Sequence, residues 1–432
     1  MDRRQAKKER SATETTRRSF LKGTAAAFGA VVGTRGTPRA VSAPDGASYP
    51  PARAVTGGPK HHFFGYYDKH PWDATGRYLL AMEIGFYGRQ PKPGEPLTVG
   101  MVDLKDGDKY IPLDTTLAWC WQQGTMLQWL GTAPDREAVY NSVEDGRYVS
   151  IVRDVHGGKT RRLPRPVCAA SRDGRQAVSL DFDRVNRLRP GYGYVAIPEK
   201  YKDNPAPAEA GIYWMDLKTG ENKLIVSLEW AAKNRRDERF DGGVHWFNHL
   251  EFNPSGTRFS FLHRWRSPNK KNWWTRFYTA SPNGSDIRLL SDTGMFSHYD
   301  WRDDNTILAW TRTKEKGGHF YLIDDRTGRH EAVGEGVLKQ DGHCSWSPDR
   351  EWILNDTYPD RNHMQTLMLY HPADDRRIDI GRFYMPPELR GKPYRCDLHP
   401  RWSRDGTQVC IDSAHAPTRQ VYVIDVARIT TR

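Results

Sequence analysis

An all-β fold is predicted from three observations. The 432-residue chain carries 38 Gly and 28 Pro, a composition suited to many turns joining short elements. It also carries 15 Trp, 20 Tyr and 15 Phe, rings that favour strands and that argue against disorder. The third observation is an internal repeat, which must be sought before any motif because it decides the architecture. Asn248-His249-Leu250-Glu251-Phe252 runs into the turn Asn253-Pro254-Ser255-Gly256. The same order of histidine, aromatic residue and turn recurs at His298 with Trp301 and Asp303, at His343 with Trp346 and Asp349, and at His399 with Trp402 and Gly406. Weaker copies stand at Trp72 with Gly76, at Trp129 with Asp135 and at Ala170 with Gly174, which makes seven.

Each unit begins with a short strand and a tight turn, then a second strand such as Arg258–His263 or Trp352–Asp356. A third and a fourth strand follow across another Gly or Asn turn, as in Gly211–Leu217, the turn Lys218-Thr219-Gly220-Glu221, and Lys223–Leu228. Four antiparallel strands recurring every 40 to 80 residues or so mark a seven-bladed β-propeller of four-stranded blades. Two β-sandwiches would also give alternating strands, but they leave the recurring aromatic-turn unit unexplained. The seventh unit ends at Val426, so its outer strand is expected from Arg53–Gly57, closing the ring and removing exposed edges. The propeller is thus placed at residues 61–432, after an otherwise irregular segment at 44–60.

Residues 1–43 hold ten Lys/Arg against three Asp/Glu, leaving only +5 of the total +12 for the rest of the chain. That remainder is too dilute for nucleic-acid binding, which needs a concentrated basic face, and it fits an acidic substrate better. The N-terminal residues Thr16-Arg17-Arg18-Ser19-Phe20-Leu21-Lys22 precede a weakly apolar run from Gly23 to Gly33 and the small residues Val41-Ser42-Ala43. This pattern resembles a twin-arginine export signal, implying the twin-arginine translocase as a partner, cleavage near Pro44, and a periplasmic or secreted product. No other stretch approaches the roughly 18 apolar residues of a membrane span, so no stable membrane insertion is expected. Five cysteines are too few and odd in number for a disulfide framework.

In a propeller the first strand of each blade begins on the face where the loops between second and third strands emerge. His249, His298, His343 and His399 all stand three residues before the aromatic residue of their unit, so they should meet near the channel mouth in four consecutive blades. One such histidine alone fits a structural hydrogen bond of the repeat. Neutral imidazoles around a hole are also good ligands for Zn or Mn, and His298, His343 and His399 are the expected set, with Gln340, Cys344 and Cys396 available to complete it. The loops of that face carry Arg187, Arg189, Trp265, Tyr358, Arg361 and Arg419. Flat rings can support sugar faces and arginines can grip uronate or sulfate groups, so these six are expected to contact an acidic glycan. A solvated surface with Arg–Tyr stacking is the plainer reading of the same residues. No GxSxG, P-loop or GxGxxG motif is present.

At His62-Phe63-Phe64-Gly65-Tyr66-Tyr67-Asp68-Lys69, Arg189-Pro190-Gly191-Tyr192-Gly193-Tyr194 and Arg395-Cys396-Asp397-Leu398-His399-Pro400-Arg401-Trp402, the chain resembles the propeller polysaccharide lyases that act on oligogalacturonate and ulvan. The resemblance implies β-elimination on a uronic-acid-containing glycan. By matching motif, Tyr192 or Tyr194 would be the acid/base, Arg264 or Arg189 would neutralise the carboxylate, and His249 would be a candidate base. It also implies a manganese site built from His and Gln, which Gln340 and His343 suggest here. The ulvan lyases use a second-blade histidine where this chain reads Trp121-Gln122-Gln123. A non-catalytic propeller that binds glycans or envelope proteins stands as the alternative.

Overall fold

A computed structural model describes residues 49–431 apart from 237 and 268–271. The export signal expected in residues 1–43 lies outside the described residues. Among the described residues, twenty-eight strands form seven four-stranded antiparallel sheets. Blade 1 holds His61–Phe63, Tyr78–Ile84, Leu97–Asp103 and Lys109–Thr116, and blade 2 runs from Gln128–Trp129 to Thr160–Leu163. Blade 3 runs from Ala169–Ala170 to Asn222–Ser227, blade 4 from Val244–Phe252 to Arg288–Ser291, and blade 5 from Phe296–Trp301 to His330–Val333. Blade 6 runs from Ser345–Trp346 to Arg376–Tyr384. Blade 7 takes Arg401–Trp402, Gln408–Ser413 and Gln420–Asp425 from the end of the chain and its outer strand, Ala52–Ala54, from the beginning. The ring therefore closes through the expected segment, at a slightly earlier position. Among the described residues no helix is long and apolar enough to cross a membrane.

The repeat has a physical cause at both ends of its first strand. In the turn, a serine hydroxyl bonds an aspartate two residues on and accepts a backbone N–H five residues on. Ser171 and Ser403 lie 2.6 Å from Asp173 and Asp405 and accept from the amides of Gln176 and Gln408, and Ser347 does the same with Asp349 and Trp352. The aromatic residue ties its blade to the one before. Trp129 donates its indole N–H to Pro71 O at 2.9 Å, Trp301 to Ser260 Oγ at 3.1 Å and Trp402 to Ser345 O at 3.4 Å. These rings are buried, so each fills the space between blades while its polar edge stays satisfied.

A buried charge cluster reinforces the seam between blades 7 and 1. Asp412 accepts from Arg401 at 2.9 Å and Arg419 at 3.0 Å, and from the backbone amides of Phe64 and Gly65. Arg419 lies within 5.9 Å of the rings of Phe63, Tyr87 and Trp121.

Candidate functional site

The four repeat histidines do converge on the axis, and Tyr66 stands among them. Its ring centroid lies 4.9 Å from His249, 6.5 Å from His298, 5.9 Å from His343 and 4.8 Å from His399. Gly65 makes this placement feasible: its φ is +121°, and a Cβ there would sit 2.9 Å from the backbone of Gln123. Two of the histidines are aimed by β-bulges. Pairing in blade 4 jumps between Asn248 and Glu251, and in blade 5 between Phe296 and Tyr299, so His249 and His298 fall in the unpaired interval. His249 and His399 also hold left-handed φ of 51° and 42°, a conformation kept only where surrounding packing enforces it.

Equal register does not give equal surroundings. His298 Nδ1 lies 2.9 Å from Asp341, and His343 Nδ1 lies 2.9 Å from Asp356. Asp356 thereby leaves His343 Nε2 as the free nitrogen, and that atom is buried without a hydrogen-bond partner. Both ring nitrogens of His399 and the Nδ1 of His249 are likewise buried and unpartnered. Burial holds His399 well below the usual histidine range, with His343 adding to the effect. Burial and the charge of Arg189 do the same to His249. Burial pulls His343 down, but Asp356, with Asp397 and Asp341 adding to it, outweighs that effect and leaves this imidazole above its ordinary value.

One ligand atom each from His343, Asp397 and His399 lie within 4.8 Å of one another, all three residues being buried. Two imidazoles and a carboxylate form a donor set suited to Mn or Zn, and the unpartnered nitrogens of His343 and His399 are groups that a cation would satisfy. The residues therefore fit a divalent metal. Asp397 takes the place expected for His298, whose ring packs beside His343 with centroids 4.2 Å apart. Cys344 and Cys396 are packed in apolar clusters, and Gln340 is exposed.

Tyr192 overhangs this ring from the long loop between the second and third strands of blade 3. Arg184 anchors that loop, donating to His245 O and Pro205 O at 2.6 Å each. Gln122 joins it to the loop before blade 7, its amide meeting Gly191 O at 3.0 Å while its side chain donates to Pro393 O and Arg395 O. Arg395 donates to the Tyr192 hydroxyl at 3.0 Å and pairs with both oxygens of Asp397, at 3.1 and 2.8 Å. Arg189 lies over the Tyr192 ring at 3.9 Å, and His249 meets its edge at 5.6 Å. Arg264 is close by under Trp273, which is 37% exposed and also lies 5.3 Å from Arg189. Tyr358 faces His298 and His343 at 6.2 and 5.8 Å.

Other candidates go elsewhere. Tyr194 is fully buried, stacked on Phe182 at 4.3 Å, with its hydroxyl accepting from Asn141. Trp265 is fully buried with its indole N–H on Arg239 O, so it has no ring face to offer a sugar. Arg419 is spent on Asp412 inside the blade seam. Arg187 pairs with Glu199, and Arg361 is exposed. Sequence reasoning passed over Tyr66, Asp356, Arg395, Asp397 and Trp273 as site residues. For Tyr66, Arg395 and Asp397 the signal was present, since all three lie inside the motifs that carry the lyase resemblance.

No family model and no curated protein matches the sequence. Among solved structures, an oligogalacturonate lyase in complex with manganese aligns at TM-score 0.61 and 14% identity, over 86% of this chain and 92% of that one. The oligogalacturonate lyase of Vibrio parahaemolyticus aligns at 0.61 and 13%, over 86% and 93%. A puromycin-hydrolyzing peptidase of Mycobacterium tuberculosis aligns at 0.51 and 13%, over 85% and 53%. At these identities the likeness shows a shared propeller fold. Lyases and peptidases both carry it, so function has to be argued from the site.

Proposed function

We propose that this protein is an exported, metal-assisted polysaccharide lyase that cleaves a uronic-acid-containing glycan by β-elimination. One observation carries the reading: Tyr192, held between two arginines, stands over the same histidine ring that offers the donor set His343, Asp397 and His399. A similarly folded oligogalacturonate lyase is in complex with manganese, which supports a divalent metal here. The mild positive charge of the chain beyond residue 43 suits an acidic substrate, and the N-terminal arginine pair supports export.

Elimination needs the uronate carboxylate neutralised, the C5 proton removed and the leaving oxygen at C4 protonated. Bound at His343, Asp397 and His399, a divalent ion would supply positive charge against the carboxylate. Arg189, with a buried nitrogen that has no partner, and Arg264 would share that task. His249, held neutral by burial and with Nδ1 free, can take the C5 proton. The electrons of that C–H bond become the C4–C5 double bond, the C4–O bond breaks, and the departing oxygen takes a proton from the Tyr192 hydroxyl. Arg395 fixes the direction of that hydroxyl.

The test is to incubate the protein with uronate-bearing glycans and follow the ultraviolet absorbance of the conjugated C4–C5 double bond. Tyr192→Phe is expected to lower kcat roughly 10²–10⁴-fold with little change in KM. Absence of unsaturated product from every glycan, with several still bound, would replace the reading by that of a glycan-binding propeller.

A further inference from the structure

Below the histidine ring the axis opens into a second chamber of about 310 Å³, reached from the opposite face and lined from all seven blades. Tyr67 divides the two spaces. Its ring lies 5.4 Å from His343 on one side and lines the chamber on the other, and its hydroxyl is fixed by both the amide and the carbonyl of Tyr299 at 2.9 Å. The elimination chemistry above makes no use of this chamber.

Its mouth is basic. Arg172, Arg302, Arg350 and Arg404 stand at or near the tight turns of blades 3, 5, 6 and 7. Arg302 is occupied by Asp303, and Arg404 donates to Trp72 O. Arg172 and Arg350 are exposed, and neither guanidinium has a hydrogen-bond or ion-pair partner among the described residues. Farther in, the hydroxyl of Ser345 and the indole N–H of Trp346 line the chamber as buried groups without partners, in residues only 8% and 9% exposed. The acidic groups on the inner wall are largely compensated. Asp68 pairs with Lys69 at 2.7 Å, while Asp300 accepts from the Trp346 amide and lies beside Glu251. Burial and the neighbouring Asp300 hold the Glu251 carboxyl well above its usual range, which favours its neutral form. What is left unpaired at the mouth and just inside it is a set of donors, two of them cationic, together with one acceptor, Oδ1 of Asp68.

We propose that this chamber is a second binding site, for a small organic anion whose carboxylate or phosphate group meets Arg172 and Arg350 and reaches the donors of Ser345 and Trp346. Guanidinium forks match both oxyanions, and unpaired positive charge at a narrow mouth draws a ligand of opposite sign. The volume is at the small end of the range for ligand pockets. The proposal does not depend on the lyase reading.

Citrate and inorganic pyrophosphate serve as probes for the two oxyanion types, in titration calorimetry on the full chain at fixed ionic strength. At least one is expected to bind with a Kd below about 1 mM, and Arg172→Ala/Arg350→Ala to weaken it at least tenfold. Both side chains are exposed and unpaired, so the double variant should melt with the wild type. If it does not, the single variant Arg172→Gln decides by a threefold weakening. Arg189→Ala, on the other face, should leave the affinity unchanged. The proposal is overturned if neither anion binds, if the arginine variants bind as wild type does, or if Arg189→Ala removes the binding.

Discussion

Blade 7 and its approach contain two buried arginine–aspartate clusters fifteen residues apart, and they differ in what they leave open. Asp412 accepts from two guanidinium groups and two backbone amides, which leaves it nothing to offer a ligand. Asp397 is gripped by Arg395 on one side and lies among unpartnered histidine nitrogens on the other. The same residue types make a structural lock in one place and an open donor set in the other. Saturation of hydrogen bonds separates them; burial and charge do not.

Breaking the lock should have the largest effect. Asp412→Ala leaves Arg401 and Arg419 buried without a counter-charge and should lower unfolding free energy by about 3–5 kcal/mol, read from chemical denaturation. A loss below about 1 kcal/mol would show that the seam is held by its strands alone. The open cluster should respond in metal affinity instead. Asp356→Asn, which disturbs the partner of His343, is expected to weaken Mn or Zn binding about 10–100-fold by competition with a chelator, with a melting temperature close to wild type for the metal-free protein. Unchanged affinity would remove His343 from the donor set.

A third carboxylate sharpens the comparison because it has an amide partner and no ion pair among the described residues. Asp181 accepts from the Gly211 amide at 2.7 Å, and burial, aided by Asp183, pushes its carboxyl up to about 7. A folded value above the unfolded one means that its contribution is fully present below about pH 4 and is lost as pH rises through about 7. Asp181→Asn should therefore gain about 1 kcal/mol relative to wild type above pH 7 and nothing near pH 4, allowing for its partial contact with water. A pH-independent difference would show that Asp181 is not the titrating group.

The seven blades were legible because most of them carry one or both of two devices that sequence displays directly, a serine–aspartate turn in blades 3, 6 and 7 and an aromatic tie to the preceding blade in blades 2, 5 and 7. The histidine ring was legible for the same reason, being fixed in register to those aromatics. Its chemistry was less so. Asp356 and Asp341 reach the ring from outside the repeat register, and no spacing announces them. Arg419 read as a surface cation because arginines are rarely buried unless paired, and its partner Asp412 is visible only in three dimensions. Trp265 was expected as a sugar platform, but it is Trp273 that is exposed. The strand pairing of Trp265 with His245 and Trp274 turns the first inward, while Trp273 precedes its strand and stays exposed. Tyr192 and Tyr194 lie in an irregular loop, where no periodicity tells a buried ring from a presented one.

The latch on blade 7 also sets an order of events during synthesis. Thr56, whose hydroxyl accepts from the Val421 amide, is made 365 residues before its partner. The strand Ala52–Ala54 emerges first and must wait for Gln420–Asp425, the last strand produced, before it has an edge to join. Six sheets can assemble in sequence as the ribosome advances, whereas the seventh is completed only by joining two distant parts of the chain. Until then the nascent protein is an open arc, with the outer strand of blade 7 missing and the seam to blade 1 unsealed.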